Sequence, residues 1–273
     1  MDYFKNGQEL GMNVSYVVQH GGHARGLAAA TGLVQDRISN DFVLLLGDNL
    51  FGANLKNVID LHHASNATAT LHVEEHSNPQ RFGVVELDGD NVISVEEKPV
   101  NPKSNNVITG FYVLSPTIFN MISGLQPSAR GEYELSDALQ ALIDNKYTVK
   151  ASKIDGWRLD IGYPEDLLAV NKFFLNEETH AVNGDVQNSS IISPVYIAEG
   201  STVRDSIIGP YVMIENGVTI DHCEVKNTVV LEKSSLCRSV ISDSVIGTNS
   251  VVKGLKAHSL KVGDYSDITN GNL

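Results

Sequence analysis

The sequence predicts an α/β domain whose sheet carries helices on both faces, followed by a parallel β-helix. Up to residue 185, strand-like and helix-like segments alternate, and one strand-like segment is entirely apolar, which indicates a sheet covered on both faces. Beyond residue 185, β-branched and other apolar residues recur every five or six positions, a regularity typical of a solenoid. The 273 residues are also enough for about two domains of ordinary size.

The α/β domain is predicted segment by segment. The range 42–46 is a run of five apolar residues, which predicts a buried strand. Apolar residues at 55, 58, 59 and 61 share one face of a helix. The turn Asp88-Gly89-Asp90 lies between two alternating segments and predicts a hairpin. The predicted elements are strands at 14–19, 42–46, 68–74, 82–87 and 92–96 and helices at 24–38 and 55–65.

The β-helix prediction rests on twelve apolar positions with small, Asn and Gly residues between them. If each coil has three faces and each face directs one apolar residue inward, the twelve positions give about four coils. A β-sandwich of short strands is the alternative, but the regular spacing without hairpin turns favours the β-helix. The twelve positions are Ile191, Ile197, Val203, Ile208, Ile214, Ile220, Val225, Val230, Leu236, Ile241, Ile246 and Val252.

These patterns predict three parts of the chain. The α/β domain is expected at 1–184, the β-helix at 185–255 and a loose polar tail at 256–273. The β-helix buries one face only in part, so we expect the chain to form a homo-oligomer through it.

The composition excludes several classes of protein. Apolar residues make up 42% of the chain, too many for a disordered protein. The 33 acidic and 20 basic residues give a net charge of −13, which argues against a nucleic-acid-coating surface. No apolar run is long enough to cross a membrane, and no leader is evident, so a cytoplasmic protein is expected. The two cysteines, Cys223 and Cys237, lack CxxC spacing, which argues against a zinc site.

The first motif with chemical potential is Gly47-Asp48-Asn49, directly after the apolar strand. In open α/β sheets, ligands lie beyond the carboxyl ends of the strands. A carboxylate there, preceded by a glycine that permits close approach, suits Mg²⁺ beside phosphates. The alternative for Asp48 is the N-cap of the following helix.

A second carboxylate, Asp160, lies between a strand-like stretch and a helix that opens with Pro164. The alternative for Asp160 is a surface loop position. Glu165 and Asp166 are interpreted as first-turn residues that complement the helix dipole.

The third group of charged residues follows the predicted hairpin. Lys98 and Arg130 could neutralise a phosphate, and Glu97 could accept hydrogen bonds from sugar hydroxyl groups. The alternative is an ordinary solvated run of charges.

Together and in this order, these segments resemble the sugar-nucleotide pyrophosphorylases, and within them the long form of the glucose-1-phosphate thymidylyltransferase subfamily. The resemblance extends over about residues 3 to 254. It is carried by Glu-Glu-Lys-Pro at 96–99, Pro-Lys-Ser-Asn at 102–105, Thr-Gly-Phe-Tyr at 109–112, Pro-Ser-Ala-Arg-Gly-Glu at 127–132 and Ile-Gly-Pro-Tyr at 208–211.

The resemblance implies a Rossmann-like mixed sheet and a left-handed β-helix. It also implies that a sugar phosphate oxygen attacks the α-phosphorus of dTTP or UTP. With glucose 1-phosphate and dTTP, the products are dTDP-glucose and pyrophosphate. No protein nucleophile is needed, because catalysis consists of positioning and charge neutralisation by Mg²⁺ and cations.

The resemblance also assigns roles to individual residues. Asp48 and Asp160 correspond to the two carboxylates that hold Mg²⁺, and Lys98 and Arg130 to the cations that hold the sugar phosphate. The implied substrate-binding residues are Gln19, Gly26 and Leu27 beside the base, and Gly83, Glu97, Ile108, Thr109 and Tyr112 around the sugar.

The sequence departs from the family pattern at its start. The family opens with a strand and a Gly-rich loop that wraps the triphosphate, whereas residues 1–11 correspond to a later part of the pattern. We therefore expect the α/β domain to lack its first strands. Three interpretations follow: an inactive fragment, a loop supplied in trans, or a non-catalytic regulatory or assembly subunit. A β-helix acyltransferase that uses His222 is a further alternative.

Overall fold

The computed structural model describes residues 3–20, 25–176 and 179–270. The chain divides into two compact units, Met1–Arg158 and Leu159–Leu273. No helix in the described ranges is long and apolar enough to cross a membrane.

The first unit contains a mixed sheet of six strands. Its helices are α1 (Leu27–Gly32), α2 (Lys56–Ser65), α3 (Thr117–Ser123) and α4 (Leu135–Asp144), with short 3-10 helices at Gln8–Leu10, Gln35–Arg37 and Pro79–Arg81. Its strands are β1 (Phe42–Leu45), β2 (Asn49–Phe51), β3 (Ala69–Glu75), β4 (Gly83–Asp88), β5 (Asn91–Glu97), β6 (Asn106–Leu114) and β7 (Val149–Lys153); β8 (Arg158–Asp160) lies at the junction of the units.

The strand order in this sheet is β1-β6-β3-β7-β5-β4. Strand β6 runs antiparallel to both of its neighbours β1 and β3, whereas β3 and β7 are parallel. Tyr112 and Leu114 of β6 face a core that also contains Leu135 and Leu139 of α4. Because side chains alternate along a strand, Phe111 and Val113 face the other side, where they pack with Val58 of α2. The sheet is therefore covered on both faces, as predicted.

The structure differs from the predicted elements near the start of the chain. No strand is present among residues 13–20, where Val17 and Val18 are 39% and 48% exposed. A segment rich in β-branched and aromatic residues forms a strand only where a neighbouring strand supplies hydrogen bonds. The helix predicted at 24–38 is limited to α1, since Gly32 and the β-branched Thr31 weaken the helix there. Residue 24 lies outside the described residues.

The second unit consists of one helix and a stack of short parallel strands. Helix α5 (Pro164–Phe174) precedes them and packs on β17 and β19. The strands are β9 (Ala181–Val182), β10 (Asp185–Gln187), β11 (Ser190–Ile191), β12 (Val195–Ile197), β13 (Thr202–Arg204), β14 (Ile207–Ile208), β15 (Val212–Ile214), β16 (Thr219–Asp221), β17 (Glu224–Val230), β18 (Ser235–Cys237), β19 (Val240–Ile246), β20 (Val251–Lys253), β21 (Lys256–His258), β22 (Lys261–Val262) and β23 (Asp267–Thr269).

The twelve predicted inward positions form three columns of four in this parallel-strand solenoid, which confirms the β-helix prediction. Each column joins residues 16 or 17 positions apart on successive coils. One column is Ile191, Ile208, Val225 and Ile241; the second is Ile197, Ile214, Val230 and Ile246; the third is Val203, Ile220, Leu236 and Val252.

The solenoid continues beyond the predicted end at residue 255. Ala257 extends the first column, Val262 the second and Ile268 the third. One face therefore stacks six strands, from β10 to β23, rather than the four coils predicted. The range 256–270 was expected to be a loose tail because it is polar, but every third of a coil needs only one inward apolar residue. Residues 271–273 lie outside the described residues.

Candidate active site

The Asp48-Asn49 turn connects β1 to β2. Asp48 is exposed, and its Oδ1 accepts a hydrogen bond of 2.8 Å from Nδ2 of the half-buried Asn49. The strand before it ends because the backbone turns at Gly47, which leaves the carboxylate at the carboxyl end of β1. The predicted Mg²⁺ ligand is thus an exposed carboxylate on a short turn, and the Asn49 amide fixes its orientation.

A buried ion pair supports this turn. Arg158 donates from Nη1 to Oδ1 of Asn49 at 2.6 Å and from Nε and Nη2 to Oε1 of Glu74 at 3.0 and 2.6 Å. The side chains of Arg158 and Glu74 are only 5% and 16% exposed, and the guanidinium lies 5.5 Å from the ring centroid of Phe82. A chain of contacts therefore links the ion pair through Asn49 to the Asp48 carboxylate.

Gly110 of β6 lets this turn approach the sheet. Its φ is +89°, and a Cβ there would lie 2.9 Å from Cδ1 of Leu46 and 3.2 Å from Nδ2 of Asn49. The backbone N–H of Leu46 donates to the carbonyl of Gly110 at 2.9 Å. A glycine is needed here both for its backbone conformation and for space.

We expect Gly110→Ala to lower the free energy of unfolding by about 2–3 kcal/mol, since it combines left-handed strain with a clash. Gly89→Ala is the matched control, because Gly89 also has positive φ (+60°) but has open space around it. We expect a loss of about 1 kcal/mol there, from strain alone. Urea denaturation measures both values; equal losses would contradict the role of the close approach.

A second group of residues surrounds the carboxylate of Glu97, at the end of β5. A Cβ on Gly83 would lie 3.2 Å from Glu97 Oε2 and 3.2 Å from Ile108 Cδ1, so these three residues adjoin. The hydroxyl of Ser136 donates a hydrogen bond to Glu97 Oε2. Burial raises the pKa of Glu97, although the bond from Ser136 acts in the opposite direction. Glu97, Gly83 and Ile108 are three of the predicted sugar-binding residues.

Lys98 and Arg130 lie close enough to Glu97 for their charges to oppose the rise in its pKa. Lys98 is exposed and has a positive φ of 43°. Arg130 is also exposed, and it pairs with Glu132 and, at 3.4 Å, with Glu134. The structure therefore brings the two predicted phosphate-binding cations to the same region, with Arg130 held by carboxylates.

Gly26 and Leu27 begin α1 against the segment that follows Arg130. A Cβ on Gly26, whose φ is +105°, would lie 2.3 Å from the carbonyl oxygen of Tyr133. Ala28 N–H donates to that carbonyl, and Tyr133 N–H donates to the carbonyl of Arg25. The predicted base-side loop thus packs directly on the Arg130 segment.

Thr109 and Tyr112 lie on opposite faces of β6. The Thr109 hydroxyl lies 2.9 Å from His72 Nδ1 and donates a hydrogen bond of 3.0 Å to the His72 carbonyl. These contacts direct the hydroxyl towards His72. Tyr112 faces the other side, and burial together with the charge of Glu97 raises its pKa. Tyr112 shares a core cluster with Ile108 of the Glu97 group, whereas the Thr109 hydroxyl bonds to His72.

Two further predicted residues are Gln19 and Asp160. Gln19 is exposed in the segment without a strand. Asp160 is half-buried at the end of β8, in the second unit, with its Oδ1 3.6 Å from the position of a Cβ on Gly162. The pairing of Asp48 with Asp160 around Mg²⁺ stays a prediction.

The Asp48 carboxylate is the kind of ligand that fits Mg²⁺. Carboxylate oxygen is the ligand that this hard cation prefers, and the exposed Asp48 offers it at the end of a strand. Asn49 Oδ1 is engaged by Arg158, so the amide holds the carboxylate rather than serving as a ligand.

Sequence reasoning missed the residues that hold the functional side chains. Arg158 belongs to the motif that contains Asp160, and Asn49 belongs to the motif that contains Asp48. Their positions in the sequence did not predict that they support the Asp48 carboxylate. Glu74 is 84 residues from Arg158, and Ser136 is 39 residues from Glu97, so no spacing signal joins either pair. The one sequence signal for Arg158 is its place two residues before the motif carboxylate Asp160.

Comparisons with known proteins agree with this arrangement. The nucleotidyl transferase family matches residues 1–177. The low-salt glycan biosynthesis nucleotidyltransferase Agl11 of Haloferax volcanii is 32% identical over 265 residues, covering 89% of this chain and 74% of that protein. The UTP–glucose-1-phosphate uridylyltransferase AglF of the same organism is 44% identical over 174 residues, covering 63% of this chain and 71% of AglF.

A solved structure is similar as well. A crystal structure assigned to a glucose-1-phosphate thymidylyltransferase from Bacillus anthracis, in complex with sucrose, superposes with a TM-score of 0.56 at 31% identity. The match covers 63% of this chain and 69% of that one. The fold, the motifs and these similarities lead to one conclusion: the chain belongs to the nucleotidyl transferase family.

Proposed function

We propose that the chain is a sugar-1-phosphate nucleotidyltransferase that takes glucose 1-phosphate and either dTTP or UTP. The product is a nucleotide sugar, dTDP-glucose in the case of dTTP, and pyrophosphate is released. The names of AglF and of the Bacillus anthracis protein support glucose 1-phosphate as the acceptor and leave both nucleotides as candidates.

The observation that carries this proposal is the group around Glu97. A half-buried carboxylate is held by the Ser136 hydroxyl and adjoins Gly83 and Ile108. A carboxylate of this kind accepts charge-assisted hydrogen bonds from sugar hydroxyl groups. Lys98 and Arg130 supply positive charge in the same region, which suits the phosphate of the same sugar.

The Asp48 turn supplies the second part of the proposal. Mg²⁺ held there would neutralise charge on the phosphates. The chain's own contribution is to hold the Asp48 carboxylate through Asn49 and Arg158, so that little reorganisation is needed when the ligands bind.

The first experiment measures pyrophosphate release by the chain with Mg²⁺, glucose 1-phosphate and either dTTP or UTP. A version extended upstream, where the gene encodes one, is assayed in parallel. Activity with one nucleotide supports the proposal and fixes the donor. Activity in the extended version alone shows that residues upstream of this chain are required. Inactivity of both, with correctly folded protein, favours a non-catalytic regulatory or assembly subunit.

Glu97→Gln tests the sugar site. We expect the KM for glucose 1-phosphate to rise about 10- to 100-fold, because a charge-assisted hydrogen bond is lost, while the KM for the nucleotide stays unchanged. The pKa of Glu97 is raised, so kcat/KM of the unmodified chain should fall on the acid side as this carboxyl is protonated. That acid limb should vanish in the variant.

Glu96→Gln is the matched control for Glu97→Gln. Glu96 is the preceding residue of β5 and is exposed, whereas Glu97 is half-buried and bonded to Ser136. We expect its kinetics to match the unmodified chain. A sugar-phosphate KM that rises equally in both variants would point to general electrostatics rather than a sugar contact.

A further inference from the structure

We propose that the β-helix carries a binding site for a divalent transition metal such as Zn²⁺, formed by Asp205, Asp221 and His222 with Cys237 as a fourth ligand. One ligand atom from each of Asp205, Asp221 and His222 lies within 4.8 Å of the other two. The site is confined to the second unit, so it does not depend on the proposed transferase function.

Coil stacking brings these donors together. Asp205 and His222 are 17 residues apart, the same offset by which Thr202 pairs with Thr219 in the flanking strands. Both adopt left-handed backbone conformations, with φ of 48° and 52°, at successive coils of one corner. Asp221 and Cys237 are direct partners in the ladder between β16 and β18. The four donors therefore come from three successive coils.

The donor atoms of these residues lie near one another. His222 Nδ1 lies 3.1 Å from Asp221 Oδ2, and His222 Nε2 lies 4.0 Å from Asp205 Oδ2. Cys237 Sγ lies 3.9 Å from the same Asp221 oxygen. A tetrahedral zinc ion with bonds of about 2.0–2.3 Å holds its ligand atoms roughly 3.3–3.7 Å apart. A histidine binds an ion through one ring nitrogen, so only one of the two His222 contacts is made to the metal. The ligand atoms of Asp205, Asp221 and His222 lie within 4.8 Å of one another, and side-chain rotations of about 1 Å bring them into that range.

The donor chemistry selects the kind of metal. Imidazole nitrogen and thiolate sulfur favour Zn²⁺ and its neighbours over Mg²⁺ and Ca²⁺, which prefer oxygen alone. The amide of Asn188 donates to Asp205 Oδ1, which orients the carboxylate, as partners of metal ligands commonly do. Arg204 is the backbone partner of Asp221 in the ladder between β13 and β16. Its guanidinium Nη2 lies 4.0 Å from the Asp185 carboxylate.

The absence of CxxC spacing does not conflict with such a site. Zinc motifs of that kind place ligands close in sequence, whereas a solenoid places residues one coil apart next to one another. A metal bound here joins three coils, and it stabilises the folded β-helix because the unfolded chain does not hold these donors together.

The test uses the full chain freed of metal by a chelator, then titrated with Co²⁺ and Zn²⁺. We expect one tightly bound ion per chain and tetrahedral Co²⁺ absorption with a thiolate charge-transfer band. With Zn²⁺ at about 100 times Kd, the melting temperature should rise by about 5–10 °C. Mg²⁺ in millimolar excess should not displace the ion.

Variants separate this site from general surface binding. His222→Ala and Asp205→Asn should each weaken binding at least 10-fold, and Cys237→Ser should remove the thiolate band while an ion still binds. His258→Ala is the matched control, because His258 is also exposed and lies 3.2 Å from one carboxylate, Asp243. It should bind like the unmodified chain.

Two results would overturn the proposal. One is unchanged binding in His222→Ala and Asp205→Asn, both checked for folding by their melting curves without metal. The other is displacement of the ion by Mg²⁺ as readily as by Zn²⁺, which would indicate a carboxylate cluster that attracts any divalent cation. A thiolate band that survives in Cys237→Ser would exclude Cys237 as a ligand and leave a three-residue site.

Discussion

Asp48→Asn is expected to lower kcat of nucleotidyl transfer by about 10²- to 10³-fold, the range found when one preorganised group that stabilises a transition state is removed. The substitution keeps the size of the side chain and removes its charge, so the proposed metal ligand is lost with little change in packing. Asp48 is exposed, and the turn itself is held by Asn49 and Leu46, so the fold should persist. Pyrophosphate release at saturating substrates measures kcat, and Mn²⁺ affinity in the presence of nucleotide gives a second readout.

Asp88→Asn is the control for Asp48→Asn. Asp88 is an exposed carboxylate at the end of β4, in the hairpin turn. It should leave both kcat and Mn²⁺ affinity unchanged. If Asp48→Asn retains full kcat and full Mn²⁺ affinity, Asp48 is not a metal ligand and the alternative of a structural turn residue holds.

Arg158→Met should lower the free energy of unfolding of the first unit by about 3–5 kcal/mol, because Glu74 is left as a buried charge without its cation. The methionine fills part of the space and removes the charge and the hydrogen bonds to Asn49. The single tryptophan of the chain, Trp157, is the preceding residue, so its fluorescence reports unfolding of this unit in urea. The same variant should lower kcat, since Asn49 loses the partner that orients it towards Asp48.

Lys153→Met provides the contrast for Arg158→Met. Lys153 pairs with Glu75 at 3.2 Å, but the two side chains are 61% and 72% exposed, and such a pair contributes less than about 1 kcal/mol. The double variant Arg158→Met/Glu74→Leu should recover part of the loss, because it removes the uncompensated charge as well. A loss of under 1 kcal/mol in Arg158→Met would show that the ion pair is not a support of the site.

The β-helix illustrates how much the sequence determines when a pattern is local. An inward residue every five or six positions is set by the length of one face of a coil, so twelve positions named from spacing alone fall into three columns. The same rule explains the error at the end of the chain. Ala257, Val262 and Ile268 keep the spacing, but polar residues around them obscure it.

The strand at 14–19 shows the opposite case. Like β5, which does form a strand, it is rich in β-branched residues, and the difference lies in the neighbour. Strand β5 pairs with β4 along its length, whereas no ladder is formed by residues 13–20. Local pattern therefore predicts which segments can form strands, and pairing decides which of them do.

The sequence by itself determined the two-part architecture and the inward columns of the β-helix, and through its motifs it predicts that Asp48, Glu97, Lys98 and Arg130 belong to one candidate site. Only the tertiary structure decided what holds those side chains. The pairs Arg158–Glu74, Arg158–Asn49 and Ser136–Glu97 join residues 84, 109 and 39 positions apart. The physical reason is that hydrophobic periodicity records the local geometry of a helix, strand or coil, whereas contacts between distant segments follow from the strand order β1-β6-β3-β7-β5-β4, which no local pattern encodes.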